Sequence, residues 1–429
     1  MRGRLFVVVG LLSVLTVVSG GVAFGANLKE KVNYKGINAQ LTRIEPKVKP
    51  KTKLTPAAEM APIETCKIQH GASSIQNFSS AFPIKPERMV LKEKTKVAVL
   101  AVDFKNLRAK TSPKKDLADV FYALNAFYSS MATKKISFDF VVPDKYFELP
   151  MTVEEYSLDA NFFAGGFNQA KAEKYWSYVR AAIAVADPVV DFTGVQTIIV
   201  AGPPTVTNDQ IGAFIAQAAT SSQGFTTNEG TIYNVLIRGN DQRRNLQNWA
   251  HEMGHMLGLN DLRNTENVGA QKSDGIGAFD LMGQYEKTEL LVWQRFLLGI
   301  LNDDQIRCVT AGAPTFHWIR PVAEKTKGVK GVVIPLAQYE GLIIESRRSL
   351  GYDYGLQSYS SGALVYALDS TIPYRRSPLK IVYPERSIDR ENEYDSALHK
   401  NESVTYKGWK VTVVETGIFG DVVKVEKTN

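Results

Sequence analysis

The sequence predicts two folded domains, an α/β (α+β) domain over residues 95–310 and an all-β, sandwich-like domain over residues 311–429. In the first region, apolar runs typical of buried strands alternate with stretches of helical periodicity. In the second region helical periodicity is absent, and short strand-like runs are separated by frequent turn residues. A chain of 429 residues is also too long for one ordinary core, so its length alone favours two domains with additional tails.

The first 26 residues have the features of an export signal. Arg2 and Arg4 form a positive start, residues 5–18 are an apolar core, and residues 23–25 (Ala-Phe-Gly) are a small-x-small cleavage site. An uncleaved membrane anchor is the alternative, because the apolar run almost reaches membrane-spanning length if the residues after it are included. We therefore expect a secreted protein without stable membrane association once the signal is removed.

Residues 27–94 are predicted to be a largely irregular propeptide or linker. The stretch 27–65 is poor in aromatic residues and rich in Lys, Pro and Thr, so it cannot bury enough apolar surface to fold alone. Pro83 and Pro86 interrupt the stretch that follows. The sequence leaves open whether residues 27–65 are removed or retained.

Cys66 and Cys308 are the only two cysteines. In an exported protein an isolated pair is most simply one disulfide. The alternative is that the thiolate of Cys66 blocks a metal site in a latent precursor.

The α/β region is predicted from the alternation of its elements. Strands are predicted at residues 96–104, 136–142, 195–200 and 231–238. Helices are predicted at residues 116–131, 169–185 and 210–219, and from about residue 241 onwards. The strand 231–238 is a candidate sheet edge for an extended peptide.

The C-terminal region is predicted from its short apolar runs. These cover residues 315–321, 329–335, 341–345, 362–368, 379–382, 410–414 and 422–425. The net charge of +7 is mild, and no Lys/Arg stripe is interleaved with aromatic residues. Nucleic acid is therefore not an expected partner.

Residues 251–261 read H-E-M-G-H-M-L-G-L-N-D and contain the pattern of a metal site. His251 and His255 share one helical face, because four residues make about one turn. H-E-x-x-H on a helix is the arrangement of zinc proteases, with two imidazole ligands and a carboxylate general base, which here is Glu252. The alternative is an amphipathic helix with two surface histidines.

A third ligand is expected just after this helix. Gly258 is a natural helix end, because glycine accepts the left-handed conformation that turns the chain back. Asp261 follows three residues later and is placed to offer a carboxylate oxygen. Asp274 and Asp280 are nearby carboxylates that could ligate in its place or orient a ligating imidazole.

The remaining histidines, His70, His317 and His399, are remote in sequence, so a carboxylate is the more economical third ligand. One catalytic Zn²⁺ with three protein ligands and a water in the open position is the cofactor that fits this set. The bound water would have a pKa near about 7, and Glu252 would take its proton. Calcium is a further possible cofactor, but no D-x-D-x-D loop places it.

The full pattern resembles a known family. The run H-E-x-x-H-x-x-G-x-x-D over residues 251–261, followed by F-D-L-M-G at residues 279–283, is similar to the immune inhibitor A family of secreted bacterial metallopeptidases. The similarity covers about residues 95–310 and includes segments at 128–130, 186–192 and 293–299. It implies a zincin fold of the metzincin type, with Met282 as the Met-turn residue that forms an apolar floor beneath the metal.

The resemblance also suggests a role for Tyr285. Metzincins commonly place a tyrosine two residues after the turn methionine, where it hydrogen-bonds the reaction oxyanion. Here position 284 is Gln and the tyrosine is one residue later. Tyr285 is therefore a hypothetical transition-state stabiliser, with a packed aromatic residue as the alternative.

These observations predict a secreted, monomeric zinc endopeptidase that acts on protein or peptide substrates. The alternative is a cell-surface or extracellular binding protein in which the β domain carries the function and the peptidase domain is subordinate. A zinc hydrolase acting on another acyl group is a third reading, because the site chemistry alone does not name the acyl group.

Overall fold

The computed structural model describes residues 48–71, 78–156, 158, 169–206, 210, 215–218, 224–238, 246–263, 275–283, 288–373, 376–388 and 393–428. These residues form a mixed α/β fold with several sheets and few helices. None of the helices in these ranges is long and apolar enough to cross a membrane. The predicted export signal, residues 1–26, lies outside the described ranges.

Eight strands belong to the first half of the described chain. They are β1 (Thr95–Phe104), β2 (Phe138–Val141), β3 (Phe147–Leu149), β4 (Thr197–Ala201), β5 (Ile215–Ala218), β6 (Phe225–Thr227), β7 (Gly230–Ile232) and β8 (Asn234–Arg238). Six of them form one sheet in the order β2-β1-β4-β8-β5, with β3 also paired to β1. Only β5 runs antiparallel to its neighbour, while the other pairs are parallel. Strands β6 and β7 form a separate hairpin.

Helices cover both faces of the six-stranded sheet. They are α1 (Pro113–Ser130), α2 (Val153–Tyr156), α3 (Gln169–Ala186), α4 (Leu246–Met256) and α5 (Val292–Leu297). Successive strand residues point to opposite faces of a sheet. Val97 and Val99 of β1 accordingly join the apolar cluster of α1 and α4, whereas Ala98 and Leu100 join a second cluster with α3.

The predicted elements of this region are mostly present. The strand predicted at 96–104, the helices at 116–131 and 169–185, and the strand at 195–200 all occur with ends shifted by a few residues. The strand predicted at 136–142 is shorter, and the one at 231–238 is split into β7 and β8 at Tyr233. Strand β8 lies between β4 and β5, so it is not the sheet edge.

A helix was predicted at residues 210–219, and this prediction is wrong for residues 215–218. Residues 215–218 form strand β5, which pairs antiparallel with β8. Four residues of ambiguous pattern are too few for local periodicity to decide between helix and strand. Hydrogen bonding to the backbone of β8 determines that residues 215–218 form a strand.

Nine strands make up the C-terminal region. They are β9 (Ile306–Cys308), β10 (Thr315–Ile319), β11 (Gly331–Ala337), β12 (Glu340–Arg347), β13 (Gly362–Asp369), β14 (Leu379–Ile381), β15 (Ser403–Tyr406), β16 (Trp409–Gly417) and β17 (Gly420–Lys427). One sheet has the order β14-β13-β12-β11-β9 and the other the order β10-β17-β16-β15. Val332 and Ile344 of the first sheet share one apolar core with Val411 and Val423 of the second. The two sheets of this region thus pack on one common apolar core.

The five-stranded sheet is also buried on its second face. Val333, Ile343, Leu364 and Tyr366 belong to the same apolar cluster as α1 and α4. Because these residues share a cluster with α1 and α4, the β region packs against the first half of the molecule through this sheet. Burial on both faces also explains why its strands are continuous apolar runs in the sequence.

The segment before β1 is irregular, as predicted, but it is packed. Within residues 48–71 and 78–94 the only helical pieces are two 3-10 turns, Ala57–Glu59 and Ile63–Cys66. The N–H of Thr55 donates to the carbonyl of Phe316, and the N–H of Ala61 to that of Cys308. The predicted disulfide between Cys66 and Cys308 is confirmed, with the two Cα atoms 5.7 Å apart.

Candidate metal centre

Helix α4 carries the H-E-x-x-H motif in the middle of the molecule. All of its residues except Asn248 are buried. Trp249 contacts Phe121 of α1 edge to face, and the guanidinium of Arg238 in β8 lies 4.8 Å from the Trp249 ring. The helix packs against α1, β5 and β8.

The end of α4 returns the chain towards the motif. Gly258 has a φ of +94°, a left-handed value that a Cβ would strain. The N–H of Gly258 donates to the carbonyl of His255, and the N–H of Leu259 to that of Gly254. These two bonds are the Schellman arrangement that ends helices at glycine. The chain therefore turns back within three residues and brings Asp261 beside the helix.

Three ligand atoms of the predicted metal site converge at this point. The Oδ1 of Asp261 lies 3.2 Å from Nε2 of His251 and 3.8 Å from Nε2 of His255. All three atoms lie within 4.8 Å of one another. Within the described parts of the chain, no other group of histidine, cysteine and acidic residues could hold a metal ion in this way.

Backbone carbonyls orient both imidazoles. The Nδ1 of His251 is 2.9 Å from the carbonyl oxygen of Leu281, and the Nδ1 of His255 is 2.8 Å from that of Leu259. A carbonyl only accepts, so each Nδ1 carries a proton and each Nε2 is the ring nitrogen on the side of Asp261. With both Nδ1 atoms held in this way, the two Nε2 atoms are the ones that could ligate a metal.

The charges around the ligands keep the carboxylate ionised. Burial opposes ionisation of Asp261, but the facing His251 and His255, together with Arg263, hold the pKa of its carboxyl below the usual range. Burial opposes protonation of His251, but Asp261 and, to a smaller extent, the buried Glu252 raise the pKa of that imidazole. The two histidines, one ionised carboxylate and water would satisfy the donor set and charge that zinc prefers.

Met282 lies directly against the motif helix. Its side chain is fully buried, and a Cβ added at Gly254 would lie 2.7 Å from its sulfur. Gly254 stands between Glu252 and His255 in the sequence. Met282 thus forms an apolar surface under the part of α4 that bears the predicted metal ligands His251 and His255.

Asp280 is not part of the ligand group. It is fully buried, and its carboxylate accepts the N–H groups of Met282 and Leu291. Burial raises its pKa to about 7. Asp274 and Tyr285, the other two residues considered for this site, lie outside the described residues.

Two further contacts at this site have no signal in the sequence. The Tyr128 hydroxyl donates to the carbonyl of Ala250, one residue before His251, at 2.6 Å. Residues 78–89 close the far end of the helix, with the N–H of Ser79 donating to the carbonyl of Gly258 and that of Met89 to the carbonyl of Met256. Buried aromatic and apolar residues of this kind are expected in any core, so their position at the site is visible only in three dimensions.

Phe78 adds a ring contact to the same end of the helix. Its ring centroid is 5.0 Å from that of His255. The remaining histidines of the described chain lie elsewhere. His317 is in β10 beside Thr315, and His399 contacts the carbonyl of Tyr359.

Comparisons with known proteins name no family for this chain, since no family model matches it and a search of curated proteins finds no match.

Proposed function

We propose that this protein is a secreted zinc endopeptidase with His251, His255 and Asp261 as metal ligands and Glu252 as general base. The observation that carries the proposal is the convergence of two Nε2 atoms and one carboxylate oxygen, with both Nδ1 atoms held by backbone carbonyls. The resemblance of residues 251–261 and 279–283 to the immune inhibitor A family supports the same reading and adds the metzincin type.

The chemistry divides between the metal and the chain. Bound zinc would polarise the scissile carbonyl and lower the pKa of its water ligand. Glu252 takes a proton from the attacking water as the water oxygen bonds to the carbonyl carbon, and delivers it to the departing nitrogen as the C–N bond breaks. Met282 and the buried helix exclude bulk water from below. Tyr285 stays a hypothetical stabiliser of the oxyanion.

The sheet next to the site favours an extended peptide as substrate. Strand β5 ends the six-stranded path and is antiparallel to β8, and α4 packs close to it. Among the described strands only β8 pairs with β5, so the other edge of β5 is our candidate for exchanging backbone hydrogen bonds with a peptide. We therefore place the substrate on β5 and not on the 231–238 stretch that the sequence suggested.

The disulfide supports the proposal that the protein is exported. Cys66 and Cys308 are joined, and disulfides persist in oxidising compartments outside the cytosol. The export signal at residues 1–26, secretion by a bacterium and a monomeric state remain part of the proposal. Calcium is a prediction without a site.

The alternative function, a binding protein carried by the β region, is less well supported. A separately expressed fragment of residues 311–429, which would test it, lacks β9, the strand that pairs with β11 and lies before residue 311. Glu345 and Arg347 of β12 are fully buried and face the first half of the molecule. A fragment starting at residue 311 would expose this charged pair and the apolar face around it.

The test is whether proteolysis depends on zinc at this triad. We expect full-length purified protein to contain about one zinc per chain and to cleave casein, and a chelator to abolish cleavage until zinc is restored. Asp261→Ala should lose both zinc and cleavage, whereas Asp304→Ala, at an exposed position far from the triad, should keep both. Full cleavage by metal-free protein would refute the proposal.

A further inference from the structure

The proposed mechanism makes no use of the buried carboxylate of Asp280. Its Oδ1 accepts the N–H of Met282 at 2.6 Å, and its Oδ2 accepts the N–H of Leu291 at 2.6 Å. With its amide nitrogen towards the carboxylate, the Gln294 side chain donates to the same two oxygens. Both oxygens are therefore occupied by donors from two separate parts of the chain.

The turn that Asp280 holds is closed by a second bond. The N–H of Gly283 donates to the backbone carbonyl of Asp280 at 3.0 Å. Side chain and backbone of Asp280 together fix residues 280–283 in one conformation. Carboxylates that accept backbone N–H groups in this way are common anchors of short turns.

The two carbonyls inside the turn both face the metal site. The carbonyl of Leu281 accepts the Nδ1 proton of His251 at 2.9 Å. The carbonyl of Met282 accepts the N–H of Leu262 at 2.8 Å, and Leu262 directly follows Asp261. One turn thus orients one ligating imidazole and anchors the chain beside the ligating carboxylate.

We propose that Asp280 is the positioning residue of the metal centre. It touches no ligand atom and acts through the carbonyl of Leu281, which sets the tautomer and the direction of His251, and through that of Met282, which fixes the chain beside Asp261. Groups that orient metal ligands in this way typically contribute about 10- to 100-fold to metal affinity. The inference rests on the proposed metal site.

The deciding variant is Asp280→Asn. It keeps the size of the side chain but turns one oxygen into an NH₂ group, which would face a backbone N–H and cannot accept from it. Asp103→Asn is the matched control, because Asp103 is also buried and also accepts a loop N–H, that of Ala109, but on β1. Zinc affinity is measured by competition with a chromophoric chelator on each purified full-length protein. The absorption spectrum of the cobalt-substituted form reports the coordination geometry independently of activity.

We expect Asp280→Asn to bind zinc roughly 10- to 100-fold more weakly than wild type and to change the cobalt spectrum. Asp103→Asn should keep the wild-type affinity and spectrum, even if it lowers the melting temperature. Wild-type affinity in Asp280→Asn, or an equal loss in Asp103→Asn, would overturn the inference and leave the proposed function standing. If wild type itself binds no zinc that His251→Ala removes, the proposed function fails, and the inference fails with it.

A second variant covers the case in which Asp280→Asn does not fold. Gln294→Met removes the amide that faces the carboxylate but keeps Asp280 and a side chain of similar length. It should weaken zinc binding in the same direction and by a smaller factor. Unchanged affinity in Gln294→Met would then overturn the inference.

Discussion

At the residue scale, the packing of the motif helix explains why the second variable position of H-E-x-x-H is a glycine, Gly254. Gly254 faces Met282, and any Cβ at this position would approach the methionine sulfur to 2.7 Å. Glycine in a helix interior otherwise costs about 1 kcal/mol relative to alanine. The close approach of the turn methionine explains why the chain accepts that cost.

We predict that the effect of Gly254→Ala on the free energy of unfolding has opposite signs with and without the Met282 side chain. In the wild-type background, overpacking against Met282 should outweigh the gain in helix propensity and lower the free energy of unfolding by up to about 2 kcal/mol. In a Met282→Ala background the space is free, and the same substitution should raise stability by about 1 kcal/mol. A double-mutant cycle by urea unfolding of the zinc-free proteins measures both. Equal effects in both backgrounds would contradict the contact.

Residues of the site differ in how far the sequence could predict them. His251, Glu252, His255 and Asp261 were predicted because helical spacing and a glycine exit are local properties of one short stretch. For Asp280 the sequence suggested a ligand or a carboxylate that orients an imidazole, but it could not show the route through a backbone carbonyl, since the donors to Asp280 lie 2 and 11 residues away. A sequence shows which residue types are present but not which carbonyl faces an imidazole.

At the scale of elements, long periodic stretches were predicted well, whereas several short elements were missed or assigned wrongly. Helices α1 and α3 and strand β1 each carry enough residues for their apolar pattern to be unambiguous. The four residues of β5 do not, and their pairing with β8 determines their structure. Strands β9 and β15 were missed for the same reason, as each has only three or four residues.

Strand β10 provides a prediction about pH. His317 is buried in this strand with its Nε2 2.8 Å from the hydroxyl of Thr315. Burial, helped by the nearby Arg307, lowers the pKa of His317 from 6.5 to about 4. Between these two values the unfolded chain binds a proton that the folded chain does not, so stability falls as the pH falls.

The expected loss from this histidine is at most about 3 kcal/mol between pH 6.5 and pH 4. His317→Gln should remove this part of the pH dependence, because glutamine does not titrate. Urea unfolding of both proteins at pH 7 and at pH 4.5 measures the difference. A wild type and a variant that lose the same stability over this range would show that His317 is not protonated on unfolding.

At the scale of the whole molecule, the short helix α5 joins the metal site to the C-terminal sheet. Its first N–H groups have no partners within the helix. The N–H of Val292 donates to Glu345 of β12, and that of Trp293 to the Tyr366 hydroxyl of β13. Just before the helix, the N–H of Leu291 donates to Asp280. The C-terminal sheet therefore supports the turn beneath the proposed metal ligands, and this gives the β region a structural role in the proposed enzyme.

The disulfide ties the N-terminal segment across the same molecule. Cys66 and Cys308 are 242 residues apart in sequence, and residues 78–89 continue from this anchor to the end of α4. Closing so long a loop stabilises chiefly by restricting the unfolded chain. We predict that the double variant Cys66→Ser/Cys308→Ser loses about 2–5 kcal/mol of unfolding free energy. Urea unfolding of oxidised wild type and the variant measures it, and an equal midpoint for the two would contradict this role.

The same contacts bear on which part of the N-terminal segment can be removed. The N–H groups of Ser79 and Met89 donate to carbonyls at the end of α4, so residues 78–89 are part of the structure around the proposed site. Thr55 and Ala61 also donate to the carbonyls of Phe316 and Cys308, and whether residues 27–65 are a removed propeptide or a retained linker stays open. Long-range packing of an irregular segment leaves no periodic pattern, and for that reason the sequence could not reveal it.

The central claim is that Glu252 acts as the base of a zinc-dependent peptide hydrolysis. The most direct test is the rate of casein cleavage by Glu252→Gln, measured on protein shown to contain zinc. Glutamine keeps the shape of the side chain but cannot accept the proton, so the rate should fall at least about 100-fold while zinc stays bound at the wild-type level. Cleavage by zinc-loaded Glu252→Gln at the wild-type rate would contradict the claim.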